Sequence, residues 1–183
     1  MIGGVYFQGE IPLGWQVGAP PSAAALHEWM HADAVLLNAL AGMESQLSAH
    51  ETEFGGDMEK RLDRLEAKLD LALNLLSNLL AQNTPKPETC PVTLSASTIE
   101  WVSRSAAPAK GSIVISLFID PRMPQPLMLP ASVRESDAAT GGTRIVADFT
   151  HLSEEVKDSL ERAVFRHHRR HIQAMHGANK HQG

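Results

Sequence analysis

The chain has 183 residues, of which 43% are hydrophobic and 20% charged, as in globular proteins of one or two domains. A net charge of −5 and an aromatic content of 5% do not suit a nucleic-acid-binding protein, so we expect no nucleic-acid partner. Cys90 is the single cysteine, which excludes a disulfide within the chain and suits a reducing compartment. Met1–Trp15 lacks the features of a signal peptide and Leu69–Ala81 is too short to cross a bilayer, so we expect a cytoplasmic protein without a membrane span.

The first part of the chain predicts a short β segment followed by a helix. Residues 1–18 hold the β-type runs, and Ala19-Pro20-Pro21 ends them. Ser22 is the predicted N-cap of a helix that runs to about His50. Its apolar residues recur at helical spacing. They are Leu26, Trp29, Met30, Leu36, Leu37, Leu40, Met43 and Leu47.

A heptad repeat marks the next helix, which follows Gly55-Gly56, has Asp57 as its N-cap and runs to about Gln82. Apolar residues alternate there at spacings of four and three, at Met58, Leu62, Leu65, Leu69, Ala72, Leu76 and Leu79. A straight helix drifts by about 20° per heptad, so a register kept over this length predicts a coiled coil over residues 57–82.

Leucines at flanking heptad positions widen this apolar face beyond a two-stranded seam; they are Leu73, Leu75 and Leu80. We therefore predict a homo-oligomer of three or more helices. The predicted interface consists of Met58, Leu62, Leu65, Leu69, Ala72, Leu73, Leu76, Leu79 and Leu80. The alternative is that the heptad helix packs on Ser22–His50 as a hairpin within one chain.

After the linker Thr84–Pro87 the chain changes to β structure. The predicted strands are Val92–Leu94, Ile99–Val102, Ser112–Ile119, Leu127–Val133 and Arg144–Phe149. Pro130 indicates an edge or bulged strand, and Gly141-Gly142 a hairpin turn. Ser153 is the predicted N-cap of a last helix that ends near Gly177.

Two clusters of polar residues suggest chemistry. His27-Glu28-Trp29-Met30-His31 matches the H-E-x-x-H pattern of zinc hydrolases, with two histidine ligands and Glu28 as general base. Because the downstream sequence supplies no third ligand at motif spacing, we interpret these residues as the surface of a helix and predict neither a metal nor catalytic residues. The basic run Arg166–His171 could bind an acidic partner or a phosphate, although such a run also complements the C-terminal end of a helix dipole.

The order of elements from Pro91 onward resembles the PilZ domains, small antiparallel β-barrels closed by a C-terminal helix, many of which bind cyclic di-GMP. The stretch Thr93–Trp101 resembles the family's D/N-x-S-x-x-G signature followed by alternating apolar residues. Lys110-Gly111-Ser112 and the junction Phe149–Glu155 are also similar to the family. The resemblance implies an α+β fold in which residues 1–18 form the first strand, residues 22–83 are inserted helices and residues 90–176 complete the barrel and its helix. Within the family, the chain resembles the PilZ proteins of xanthomonads that carry an added heptad-repeat helix and assemble as tetramers.

The departures from the family's signature bear on its ligand. Of the three signature positions only Ser95 is retained, because Thr93 stands in place of Asp or Asn and Thr98 in place of Gly. The family's R-x-x-x-R motif precedes the barrel, whereas the first arginine here is Arg61. Arginine binds phosphates through paired donors and stacks on bases, so its loss should weaken nucleotide binding.

We therefore expect a non-enzymatic PilZ-type adaptor without a cofactor, a homo-oligomer with a tetramer favoured, and weak or absent cyclic di-GMP binding. By resemblance, its protein partner would belong to pilus assembly, motility or virulence signalling. One alternative is a cyclic di-GMP receptor that uses Arg104, Arg134 or Arg144 instead of the family's arginines. Another is a zinc-dependent hydrolase built on His27, Glu28 and His31.

Overall fold

The protein is described from a computed structural model that covers residues 5–18, 22–49, 62, 65, 69, 86–104, 107–120 and 125–179. The side chains of residues 43–49 and 170–179 lie outside the description. Six strands and two helices have defined bounds. In chain order they are β1 (Phe7–Val17), α1 (Ala23–Ala49), β2 (Thr89–Leu94), β3 (Thr98–Ser103), β4 (Gly111–Leu117), β5 (Leu127–Ala139), β6 (Gly142–Phe149) and α2 (Glu154–Asn179).

The six strands form a closed antiparallel barrel in the order β1-β2-β3-β6-β5-β4. Strand β1 closes it, because its first half, from Phe7 to Pro12, pairs with β2 and its second half, from Leu13 to Val17, pairs with β4. This confirms the α+β fold and the barrel predicted from the PilZ resemblance.

Side chains fill the interior of the barrel. Along β3 buried and half-buried residues alternate strictly, as expected for a strand with one face in the core. The largest inward side chain, Trp101, is 1% exposed. Because its own side chains fill this narrow barrel, the interior has no room for a ligand, and a ligand or partner would bind the outer surface.

Pro130 does not lie on an edge strand, because β5 pairs with both β4 and β6. Its carbonyl accepts a hydrogen bond from the Thr150 amide at 2.8 Å, just beyond the last residue of β6. The proline nitrogen faces the same side of the strand, where β6 has ended, so its missing N–H costs no ladder bond. A bulge does occur in β5, but between Val133 and Glu135.

The β5–β6 hairpin turns at Thr140 and Gly141, as the Gly141-Gly142 pair predicts. Gly141 has a φ of 87°, a conformation that glycine adopts without steric cost. Gly142 is required for a different reason. A Cβ atom there would overlap the Ser103 carbonyl oxygen of β3.

Replacement of Gly142 by alanine should therefore destabilise the barrel by about 2–4 kcal/mol, since β3 and β6 must separate to admit the methyl group. Gly141→Ala is the matched control. Nothing lies within 4 Å of its added Cβ, so it should cost only about 1 kcal/mol, from the positive φ. Urea unfolding of both variants measures the difference, and equal losses would contradict the role given to the Ser103 contact.

The two helices pack against the barrel, and both begin at the predicted N-caps. Ser22 Oγ accepts a hydrogen bond from the Ala25 amide at 3.2 Å, and Ser153 Oγ one from the Val156 amide at 3.3 Å. Helix α2 continues to Asn179, so it does not stop at Gly177. Both helices contribute buried apolar residues to the barrel core; they include Met30, Ala34, Leu37 and Leu40 of α1 and Val156, Leu160, Ala163 and Val164 of α2.

Candidate functional site

The turn between β2 and β3 carries the one retained signature residue, Ser95, which is buried. Its hydroxyl accepts hydrogen bonds from the amides of Thr98 at 3.0 Å and Ser97 at 3.3 Å, and donates one to the Thr98 carbonyl at 3.1 Å. The Ser95 amide also donates to that carbonyl at 2.9 Å. Ser95 therefore shapes the turn, and its donor and acceptors are engaged by the backbone of the turn itself.

A chain of ion pairs, which we call the outer ion cluster, extends from this turn across the outer face of the barrel. Its members are Thr98, Glu100, Arg134, Glu135, Arg144 and Asp148. The Thr98 hydroxyl donates to Asp148 at 3.0 Å, and Arg134 reaches Asp148 at 3.2 Å and Glu135 at 3.4 Å. Arg144 donates to both Glu100 oxygens at 2.8 Å and to Glu135 at 3.1 Å.

The β5 bulge helps to assemble the outer ion cluster. Normally two successive strand residues point to opposite faces, but the bulge allows Arg134 and Glu135 both to reach partners on β6. In register, Glu100 of β3 and Glu135 of β5 lie on either side of Val146 of β6. Val146 is only 1% exposed, so the cluster covers an apolar residue of the outer barrel face.

The pKa shifts follow from these contacts. The hydrogen bond from Arg144 lowers the pKa of Glu135, and the hydrogen bonds to Glu100 raise the pKa of Arg144. The ion pairs engage both Arg134 and Arg144 with carboxylates. With three carboxylates and two guanidinium groups, the outer ion cluster has a net negative formal charge, which disfavours a phosphate ligand.

A shallow groove of about 420 Å³ lies beside Thr93 on the outer face of β1, β2 and β3. The charged residues in its lining are Glu10 and Glu100, both acidic. Among the described residues, the Thr93 hydroxyl has one hydrogen-bond partner, the Gln8 side-chain amide, at a long 3.4 Å. The two departures from the signature, Thr93 and Thr98, therefore border acidic surface.

The arginines proposed as replacement nucleotide contacts do not converge on one site. Arg134 and Arg144 belong to the outer ion cluster, and Arg104 is exposed just past the end of β3. On α2, Arg162 is exposed and Arg166 is half-buried.

The H-E-x-x-H residues lie on the exposed face of α1, with His27, Glu28 and His31 all exposed. Within the described part of the chain, no three His, Cys, Asp or Glu side chains are grouped so that they could hold a metal ion. The structure therefore supplies no third ligand for zinc among those residues.

Three residues of the predicted oligomer interface are described, and all three are helical. In the single chain, Leu62, Leu65 and Leu69 are 59%, 65% and 61% exposed. The other six predicted interface residues, Met58, Ala72, Leu73, Leu76, Leu79 and Leu80, lie outside the described residues, as does most of the predicted coiled coil.

Sequence reasoning missed Asp33, a carboxylate 2% exposed on the buried face of α1. Its Oδ1 accepts a hydrogen bond from the Met128 amide of β5 at 3.0 Å, and its Oδ2 is buried without a hydrogen-bond partner among the described residues. Burial raises its pKa to about 7, although the Met128 bond opposes this rise. The signal was present in the sequence, because Asp33 lies three residues after Met30 and four before Leu37, on the apolar stripe.

The described helices include none with the length and hydropathy needed to cross a membrane. The fold and its outer surface define a small β-barrel domain with a C-terminal helix. Residues 37–176 match the sequence model of the family described as atypical PilZ domain, cyclic di-GMP receptor. Because the match spans most of the chain, this protein belongs to the atypical PilZ domain family.

A solved structure supports the same assignment. It is a pathogenic protein from Xanthomonas campestris, described as a new tetrameric PilZ domain self-assembled via an unusual helical bundle. The two chains are 28% identical with a TM-score of 0.78, over 92% of this chain and 91% of the other. No curated protein matches this chain.

Proposed function

We propose that the protein is a non-enzymatic PilZ-type adaptor that acts as a homo-oligomer, with a tetramer favoured, in the cytoplasm. The inserted helices of residues 22–83 would assemble the oligomer, and the barrels would present copies of one protein-binding surface. We further propose that its partner belongs to bacterial motility, pilus assembly or virulence control.

The observation that carries the adaptor role is the outer ion cluster. It occupies the barrel face next to the signature turn with a net negative charge, and it engages Arg134 and Arg144 in ion pairs. A nucleotide that carries two phosphates would have to displace carboxylates from these arginines before it could bind them. A protein partner can bind without displacing these carboxylates, because it can complement the acidic surface with its own basic residues.

The assembly role draws on two observations. Leu62, Leu65 and Leu69 are helical residues spaced three and four apart, and more than half of each is exposed. Exposed apolar stripes of this kind mark association surfaces. The X. campestris protein of similar fold is described as self-assembled via a helical bundle. Several barrels on one oligomer would raise avidity for a multimeric partner without a strong single contact.

Titration with cyclic di-GMP tests the proposal. We expect no saturable heat in isothermal titration calorimetry at ligand concentrations up to about 100 μM, which places any dissociation constant above that value. Saturable binding in the low micromolar range would overturn the adaptor role without nucleotide. A known cyclic di-GMP receptor titrated under the same conditions controls for ligand quality.

A second function, cyclic di-GMP reception by non-standard contacts, is favoured by the description of the matched family as a cyclic di-GMP receptor. It requires arginines near the barrel to contact the nucleotide. If binding is observed, Arg104→Ala, Arg134→Ala and Arg144→Ala test which of the three contributes. Loss of binding in one of these variants, with the barrel still folded by circular dichroism, would support this second function.

A further inference from the structure

The exposed face of α2 carries an arrangement of charge and apolar surface that the proposed adaptor role does not use. Phe165 is 52% exposed there, and Val5, at the start of the chain segment that leads into β1, is 44% exposed. Together they contribute the apolar lining of a groove of about 510 Å³. The charged lining of this groove consists of Asp158, Glu161, Arg162 and Arg166.

Three of the exposed residues fall on one narrow line along the helix. At 100° per residue, Asp158, Phe165 and Arg169 lie within a strip about 40° wide. Phe165 is in the middle, with an acid nearer the N-terminus and a base nearer the C-terminus. Although Arg162 lies one turn from Asp158, neither Asp158 nor Arg169 takes part in an ion pair with a described residue.

The order of acid, aromatic ring and base along α2 is complementary to the same order on a second, antiparallel copy of the helix. If two copies of α2 lie antiparallel about a twofold axis level with the middle of Ala163 and Val164, Asp158 of each faces Arg169 of the other. The two Phe165 rings then meet beside the axis, about 4.5 Å apart along the helices, over the grooves that Val5 helps to form. A parallel arrangement would instead place like charges opposite each other.

We propose that the exposed face of α2 is a second self-association surface, which pairs with the same face of another copy of this chain in an antiparallel, twofold-symmetric contact. The ion pairs are exposed and the apolar area is small, so a single contact is weak and sensitive to salt. A weak contact becomes effective when an oligomer presents several copies of it at once. The surface is distinct from the heptad helix, and it would link or reinforce oligomers that the heptad helix builds.

Charge reversal at the ends of the contact is the direct test. In a background in which Leu69→Glu and Leu76→Glu disrupt the heptad seam, sedimentation at low salt should show a monomer–dimer equilibrium. Asp158→Arg or Arg169→Asp alone should weaken dimerisation about tenfold or more, whereas the double variant Asp158→Arg with Arg169→Asp should restore it. Phe165→Ser should abolish it. Dimerisation unaffected by the single reversals, or not restored by the double reversal, would overturn the proposal.

Disulfide trapping measures the contact in the otherwise unaltered chain. The double variant Asp158→Cys with Arg169→Cys should form cross-linked dimers under mild oxidation. The two positions are about 16 Å apart along one helix, too far for a bond within the chain. The parent chain is the control, because its single thiol, Cys90, is buried. Absence of cross-linked dimers in the double variant would argue against the α2 contact, whether or not the heptad helix forms an oligomer interface. The heptad interface is tested separately, because an unchanged mass of the Leu69→Glu, Leu76→Glu variant would contradict it.

Discussion

Replacement of Leu69 and Leu76 by glutamate is expected to convert the oligomer into single chains. Both residues occupy the core position a of the heptad, where an ionised side chain would be buried without a partner. Every chain of the assembly would contribute two such charges, so the free-energy cost of burying them grows with the number of chains. Light scattering at high salt, which suppresses exposed ion pairs, should show the mass fall from about 80 kDa for four chains towards the 19.9 kDa of one chain.

A matched control keeps the added charge but moves it off the seam. Ala67 and Asn74 occupy position f, on the opposite side of the same helix, so Ala67→Glu with Asn74→Glu should leave the mass unchanged. Circular dichroism should show a folded barrel in both variants. If the Leu69 and Leu76 variant keeps the mass of the parent, the seam is internal to one chain and the hairpin alternative is correct.

Replacement of Asp33 by asparagine is expected to stabilise the protein at pH 8 by about 2–4 kcal/mol. The folded state raises the pKa of Asp33 from 3.8 to about 7, so between these values the folded chain binds more protons than the unfolded chain. Stability therefore falls as pH rises through this window, by at most about 4 kcal/mol. Asparagine retains an acceptor for the Met128 amide but carries no charge, so it removes this dependence.

The gain should vanish in acid, because a protonated Asp33 and the neutral amide that replaces it differ little there. At pH 4.5 the parent and Asp33→Asn should agree within about 1 kcal/mol. Asp137→Asn, which removes an exposed carboxylate from the β5–β6 hairpin, is the control and should give no comparable gain. Urea unfolding at fixed protein concentration between pH 4.5 and 8 measures both variants, and parallel pH profiles for Asp33→Asn and the parent would contradict the burial of a charged Asp33.

The Asp33 result bears on how the helices are attached to the barrel. Its bond to Met128 joins α1 to β5, and the Ser159 hydroxyl of α2 donates to Asn38 of α1 at 3.5 Å. The remaining contact between α1 and the barrel is largely apolar, through residues such as Met30 and Leu37. The Asp33 carboxylate therefore lowers the stability of the folded chain at neutral pH, while its hydrogen bond with the Met128 amide fixes the position of α1 on β5.

Local patterns in the sequence determined most of the elements of this protein. Ser22 and Ser153 predicted the helix starts, Gly141-Gly142 the hairpin, and runs of β-branched and apolar residues such as Ser112–Ile119 the strands. Caps, turns and strand propensity all depend on residues close together in the chain. The heptad repeat predicted an oligomer by the same kind of argument, and that prediction awaits the mass measurement.

Contacts between distant residues were decided only by the tertiary structure. The outer ion cluster joins β3, β5 and β6, and Glu100 and Arg144 are 44 residues apart in sequence. The bulge that brings Glu135 to Arg144, the closure of the barrel by β1, and the meeting of Asp33 with Met128 depend likewise on register and packing across the whole fold. The sequence could not indicate that Arg134 and Arg144 are paired with carboxylates, because their partners are brought close only by the fold. The proposed adaptor function depends on these ion pairs.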